Sequence, residues 1–474
     1  MIFDRHHLGV TPAPGVLSLL LYAAMSWPLA AMAIDPFATA NHIQRGRLDH
    51  VADVNHCAKE KILSPLSLAD VVDLALCNNP QTRVLWANSR AQAAQLGVST
   101  AAYLPTLSGL ANLSKNQSNP GGQAPLNSTS ATANLTINYL LYDFGGRSAT
   151  LENAKQLLIA ASATRDASLQ SNFLSAVQAY YSLLSTRASV ASFRVDEIRA
   201  QESLAAAEAR YKAGVVTPVD RLQAKTTLSQ AQLNRIRGEG DASNAQGALA
   251  NIMGFDASQR YTLIPVAEAI PDPVIEQDIG QLIALARQQR PDLAAAASQI
   301  LAAEAQLQSV KASGRPSITL GGISGVTHPN LDNGNAIRTN SLGVTLNVPL
   351  FSGFRTSYQA GAAEQQVEAR LAERDRLANQ IALEVWRAYQ GLLTNSQALR
   401  SADDLVLAAT QSEKMILGRY KAGVGNILDT LNAQSALASA RQQRVAALYN
   451  FLFSRFALAQ AMGELDLTQI ANNN

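Results

Sequence analysis

The feature that most constrains this chain is that it contains one unit twice. Arg210-Tyr211-Lys212-Ala213-Gly214-Val215 returns 209 residues further on as Arg419-Tyr420-Lys421-Ala422-Gly423-Val424. The same offset carries Asp220 to Asp429, Leu222 to Leu431, Ala224 to Ala433 and Met253-Gly254 to Met462-Gly463. It also sets Ala179-Tyr180 on Ala388-Tyr389, and Thr136-Ile137-Asn138 on Thr345-Leu346-Asn347. Upstream the offset becomes 211, taking Pro80 to Pro291 and Pro105 to Pro316. A register held over most of a chain is the mark of a repeated structural unit. The sequence therefore divides into a first repeat, 34–265, a proline-marked linker, 266–278, and a second repeat, 279–474.

Each repeat has the same order of parts. A helix begins at Pro80 or Pro291, proline being well tolerated in a first turn, and ends before Pro105 or Pro316. A strand pair follows, about 105–143 or 316–351, with polar loops at Asn119 to Ser128 and His328 to Gly334. Leu135, Ile137, Tyr139 and Leu141 alternate with Thr136 and Asn138, and Leu342, Val344, Leu346 and Val348 alternate with Thr345 and Asn347. Period-two alternation predicts strands with one apolar and one polar face. Long helices then run over 147–213 and 355–421. The first has no Gly or Pro between Arg147 and Tyr211, and Leu169, Phe173, Val177, Tyr180 and Leu184 form one helical stripe. At about 1.5 Å per residue each helix is roughly 100 Å long. Helices of that length need lengthwise neighbours. Return helices follow at 217–254 and 426–463.

Four strands per chain cannot close a barrel, and an open sheet in lipid leaves backbone groups unpaired. Membrane barrels need about eight strands or more. Two chains would supply eight and three would supply twelve, so oligomerisation is required and the number stays open at this stage. The N-terminus reads as an export signal, 1–33. Arg5 precedes an apolar core from Val16 to Met25, Pro28 breaks it, and Ala31-Met32-Ala33 offers a cleavage site. Ile34, not a cysteine, follows, which argues against lipid attachment there. Cys57 and Cys77 are the only cysteines. In an oxidising compartment they form a disulfide or remain two thiols.

A net charge of +2 gives no basic surface for nucleic acid. There is no P-loop, no His-Glu-x-x-His and no nucleophile elbow, so no enzyme or cofactor is expected. His42, His50, His56 and Cys57 match no ordered set of metal ligands. A periplasmic coiled-coil protein, or a periplasmic adaptor, is the alternative of another class. An adaptor would carry one helical hairpin, which the duplicated strand pairs weigh against.

Two hairpins, two long helices and paired Arg-Tyr-Lys-Ala-Gly-Val turns resemble the TolC-like outer-membrane efflux proteins over nearly all of the mature chain. The resemblance implies an α+β membrane protein: a homotrimer with a twelve-stranded β-barrel, four strands per chain, on a long α-helical barrel crossing the periplasm from the outer membrane. It implies an exit duct docked to a periplasmic adaptor (a membrane fusion protein) and an inner-membrane transporter, ABC or other pump, with the barrel in outer-membrane lipid. The turns at Gly214, Val215, Gly423 and Val424 would contact the adaptor. Asp220, Tyr420 and Asp429 match the periplasmic entrance, Asp429 as an acid in a cation-favouring ring. Two positions depart from the family: Gly425 replaces a gate arginine and Asn432 a second entrance acid. For cargo, the resemblance leans to type I protein secretion, with a large toxin as one substrate, and small-molecule efflux is the alternative. Physically, Gly214 and Gly423 suit left-handed helix caps, and Asp220 and Asp429 suit helix N-termini.

Overall fold

The computed structural model describes residues 35–46, 48, 65–119, 121, 126–264, 278–329 and 335–466. The export signal, nearly all of the linker, His50, His56 and Cys57 lie outside the described residues. Cys77 is disulfide-bonded.

The first repeat consists of α1 (Leu68–Asn78), α2 (Pro80–Ala101), β1 (Thr106–Ser118), β2 (Leu126–Tyr142), α3 (Gly146–Lys212) and α4 (Pro218–Ile252). The second repeats the order as α5 (Ile279–Gln289), α6 (Pro291–Ala312), β3 (Ser317–His328), β4 (Ile337–Asn347), α7 (Arg355–Lys421) and α8 (Ile427–Met462). Pro80 and Pro291 each open a helix in the first turn, as the sequence predicts. The strand β2 starts at Leu126, inside the stretch read as loop, because Leu126 to Ser128 extend the ladder opposite Asn116 to Ser118. The short helices α1 and α5 are additions to the sequence reading. A Ser67/Asp70 capping box starts α1, with the Asp70 carboxylate accepting the Ser67 N–H at 2.8 Å.

The two long helices have 67 residues each, so each is about 100 Å long. Gly361, Gly391 and Gly418 sit inside α7 without interrupting it. Each costs about 1 kcal/mol against alanine in isolation; packing along α8 and α6 sustains the helix. The main core lies near the midpoint of α3. Leu169, Phe173, Val177, Tyr180 and Leu184 are all buried there, packed with Phe451 and Phe456 of α8 and Val72 and Leu76 of α1. Tyr180 donates its hydroxyl hydrogen to the Ile264 carbonyl at 3.0 Å, which seats the chain leaving the first repeat on this core. From here the strands and the helical turns each lie about 50 Å away, at opposite ends.

The strands form one antiparallel sheet in the order β1-β2-β3-β4. The register aligns Leu107 with Ile137, Gly322 with Ile137, and Leu342 with Gly322 on one apolar face. Asn138, Thr136, Thr319 and Thr345 share the polar face. Among the described residues both outer edges of the sheet are unpaired within the chain, the arrangement that demands further copies. Among the helices, α7 packs within its own chain on α8, α6 and α5. It leaves Leu383, Trp386, Leu405, Leu407 and Met415 exposed, and α4 leaves Leu222, Leu233 and Ile236 exposed. No helix among the described residues is long and apolar enough to cross a membrane.

Candidate functional site at the helical tip

Both helical hairpins turn at the end remote from the sheet. In the first, Gly214 adopts φ +74°. Its N–H donates to the Tyr211 carbonyl at 2.9 Å and the Val215 N–H donates to Arg210 at 3.1 Å. In the second, Gly423 adopts φ +82°, and Val424 N–H donates to the Arg419 carbonyl at 3.1 Å. These are helix-terminating caps that need a residue without Cβ in the left-handed region. Val215 and Val424 are left at the apex, each 69% exposed.

The return helices begin differently. Thr217 caps α4 and Pro218 occupies its first turn. The Asp220 carboxylate accepts the Thr217 N–H at 3.0 Å and the Thr217 hydroxyl at 3.1 Å. In α8 the cap is Asn426, whose side-chain oxygen accepts the Leu428 N–H at 2.9 Å. Asp429 is therefore not needed as a cap and stands exposed in the first turn of α8. Asn432, one turn on, is exposed and lines a groove of about 760 Å³ between α4 and α8, over α3.

Tyr420 is the exception to this exposure. It is 4% exposed, packed on Ile427 and Leu431. The Arg210 guanidinium lies 4.0 Å from the centre of its ring and donates to the Tyr420 carbonyl. That one side chain joins the end of α3 to the end of α7 by a cation–π contact and a charge-assisted hydrogen bond. The Tyr420 hydroxyl is buried with no hydrogen-bond partner among the described residues. Tyr420 and Asp220, both matched to the entrance by the resemblance, are not joined by a hydrogen bond here. Asp220 is committed to its own helix start, and Arg210 holds Tyr420. Sequence reasoning read Arg210 only as part of the repeat. Gly425 abuts the last turn of α7: a Cβ there would lie 2.8 Å from the Tyr420 backbone nitrogen.

Above the tip, Asp196 faces Arg441 at 3.6 Å and Glu413 faces Arg199 at 4.0 Å, tying α3 to α8 and α7. Burial pushes the Asp196 carboxyl up, against the pull of Arg441 and Arg199. Burial also brings the Arg441 guanidinium down, aided by Arg199. His42 ends a short 3₁₀ turn, and no group of side chains suited to a metal ion occurs among the described residues.

A four-stranded half-open sheet, apolar on one face, carried on duplicated 67-residue helices with capped turns at the far end, defines a protomer of an oligomeric outer-membrane channel. The outer membrane efflux protein model matches residues 71–255 and 282–464, one span in each repeat, so the chain belongs to the outer membrane efflux protein family. It is 31% identical over 414 residues to Protein CyaE of Bordetella pertussis, covering 86% of both chains. To outer membrane protein TolC of Vibrio cholerae it is 25% identical over 420 residues, 86% of this chain and 93% of that one. The fold superposes on the Campylobacter jejuni CmeC outer membrane channel with a TM-score of 0.74 at 19% identity, covering 85% of this chain and 88% of that one. TolC-like channels are trimers, and three copies of this sheet make twelve strands. The protein is an outer-membrane channel of a transport family, in which channels work with adaptor proteins and inner-membrane pumps.

Proposed function

We propose that this channel is the exit duct for type I secretion of a polypeptide, engaged by a periplasmic adaptor and an inner-membrane transporter. The observation that carries the reading is the pattern of likeness. Identity to CyaE is 31%, whereas relatives named for efflux pumps, such as SepC and TtgF of Pseudomonas putida, stand at 25%. Those same names support the second reading, small-molecule efflux. Val215 and Val424, apolar and exposed beside rigid caps, suit the turns to docking on an adaptor.

Deleting the gene, then measuring the secreted proteome and drug susceptibility together, separates the two. Loss of one or a few large proteins from the medium, at unchanged drug susceptibility, is the expected result. The reverse pattern overturns the secretion reading.

At the entrance, the proposal makes Asp429 a ring of three carboxylates. Its freedom from capping supports this. Asp429→Asn is expected to lower cation selectivity of the trimer in planar bilayers and to weaken block by multivalent cations. Unchanged selectivity and unchanged block would remove Asp429 from the entrance.

A further inference from the structure

We infer that the foot of the barrel carries an oxyanion site inside the duct, remote from the tip. Four separate junctions meet there around a pocket of about 480 Å³: the end of α2, the β2–α3 link, the α6–β3 link and the β4–α7 link. Three arginines line it, Arg147, Arg315 and Arg355, against one carboxylate, Asp143.

The pocket lies on the polar side of the sheet. Ser317 and Asn347, both in its wall, are register partners, and the next pair on their face is Thr319 with Thr345. The intervening pair, Ile318 with Leu346, faces the other way. Period-two alternation therefore puts Ser317 and Asn347 on the face that lines the lumen.

The charges do not cancel. Asp143 is occupied by Arg147: its carboxylate accepts the Arg147 backbone N–H at 2.6 Å and lies 3.5 Å from the side-chain Nε. The Arg147 Nη2 also donates to the Leu141 carbonyl at 3.1 Å, and the guanidinium lies 4.9 Å from the Tyr103 ring centre. Among the described residues the Arg315 side chain reaches only the Phe144 carbonyl, at 3.4 Å. No ion pair engages Arg355 among the described residues. The N-terminus of α7 opens onto the same pocket with no acid in its first turn, whereas the N-terminus of α3 is already met by the Asp143 carboxylate. Helix N-termini add partial positive charge. Planar guanidinium groups beside hydroxyls match a phosphoryl or carboxylate group, which they hold bidentately.

The site would favour phosphoryl or carboxylate groups of passing cargo at the barrel, at the opposite end of the duct from the acidic entrance. It rests on the channel reading only for the choice of face.

The test uses inorganic pyrophosphate as probe on the full-length purified trimer. Calorimetry is expected to show binding that weakens at least tenfold in R315Q/R355Q and by a smaller factor in R315K/R355K, which keeps the charge and loses the planar fork. In planar bilayers, pyrophosphate on the barrel side is expected to block current in the wild type and in D429N, but not in R315Q/R355Q. Absence of binding to the wild type, or equal binding by R315Q/R355Q at intact trimer migration, overturns the site. A trimer that binds pyrophosphate yet never conducts retains the site and counts against the channel reading instead.

Discussion

Replacing Arg210 by alanine is expected to loosen the tip and raise single-channel conductance several-fold. Arg210 supplies two contacts between the ends of α3 and α7: the face of the Tyr420 ring, 4.0 Å away, and the Tyr420 carbonyl. A cation–π contact on a desolvated ring is worth about 2 kcal/mol, and a hydrogen bond to a charged group about 1.5–3 kcal/mol. Arg210 is itself half-buried, so the combined loss is about 2–4 kcal/mol. At about 1.4 kcal/mol per factor of ten, even the lower figure moves a closed-to-open ratio roughly thirtyfold. The fold should survive, because the main core lies about 50 Å up the helices. Spin labels at Val215 and Val424, both exposed at the apices, should report a longer and broader distance distribution in R210A. Unchanged distance and unchanged conductance would show that the contact is incidental packing. Arg210→Lys separates charge from geometry: a compact ammonium keeps the charge and loses the flat stack, so partial opening is the expected result.

Much of this architecture was legible because it is written in short-range rules. Glycine caps, proline first turns and alternating strands each depend on residues a few positions apart, and duplication shows each twice. The 67-residue helices announced themselves by the absence of breakers, and the structure carries α7 through three glycines because neighbouring helices, not propensity, hold it. The tip chemistry was less legible. Asp220 and Asp429 occupy equivalent positions, yet one closes a capping box with Thr217 while the other is released because Asn426 caps in its place. The clue was present in the change from Thr217 to Asn426. The contact of Arg210 with Tyr420 joins residues 210 positions apart in sequence, and nothing in either repeat alone signals it. The same holds for the arginine pocket, whose walls come from four separated junctions. Such sites form where elements converge, and convergence is a property of the packed chain.

By the resemblance read from the sequence, Gly425 stands where the family would carry a gate arginine, and installing an arginine there is expected to open the tip as far as removing Arg210 does. The resemblance puts an arginine at this position as a gate residue. Here a Cβ would meet the Tyr420 backbone nitrogen at 2.8 Å, the Arg419 carbonyl carbon at 3.0 Å and the Tyr420 Cα at 3.1 Å. These atoms belong to the last turn of α7 and cannot swing aside like a side chain. Overpacking of this kind costs about 1–3 kcal/mol, and the cheapest relief is to peel the turn away from α7. That movement displaces the Tyr420 carbonyl, which is the acceptor Arg210 uses. Val216, at the equivalent place in the first repeat, carries a side chain, so the restriction belongs to the second turn alone. Three variants separate the causes. Gly425→Ala should produce most of the conductance increase of Gly425→Arg, because the first carbon already clashes. Gly425→Arg combined with Arg210→Ala should conduct no more than either alone, since both remove one contact; coupled residues are non-additive in this way. If Gly425→Arg instead lowers conductance while Gly425→Ala leaves it unchanged, the turn accommodates a side chain. An arginine would then fit this entrance without disturbing the contact of Arg210 with Tyr420.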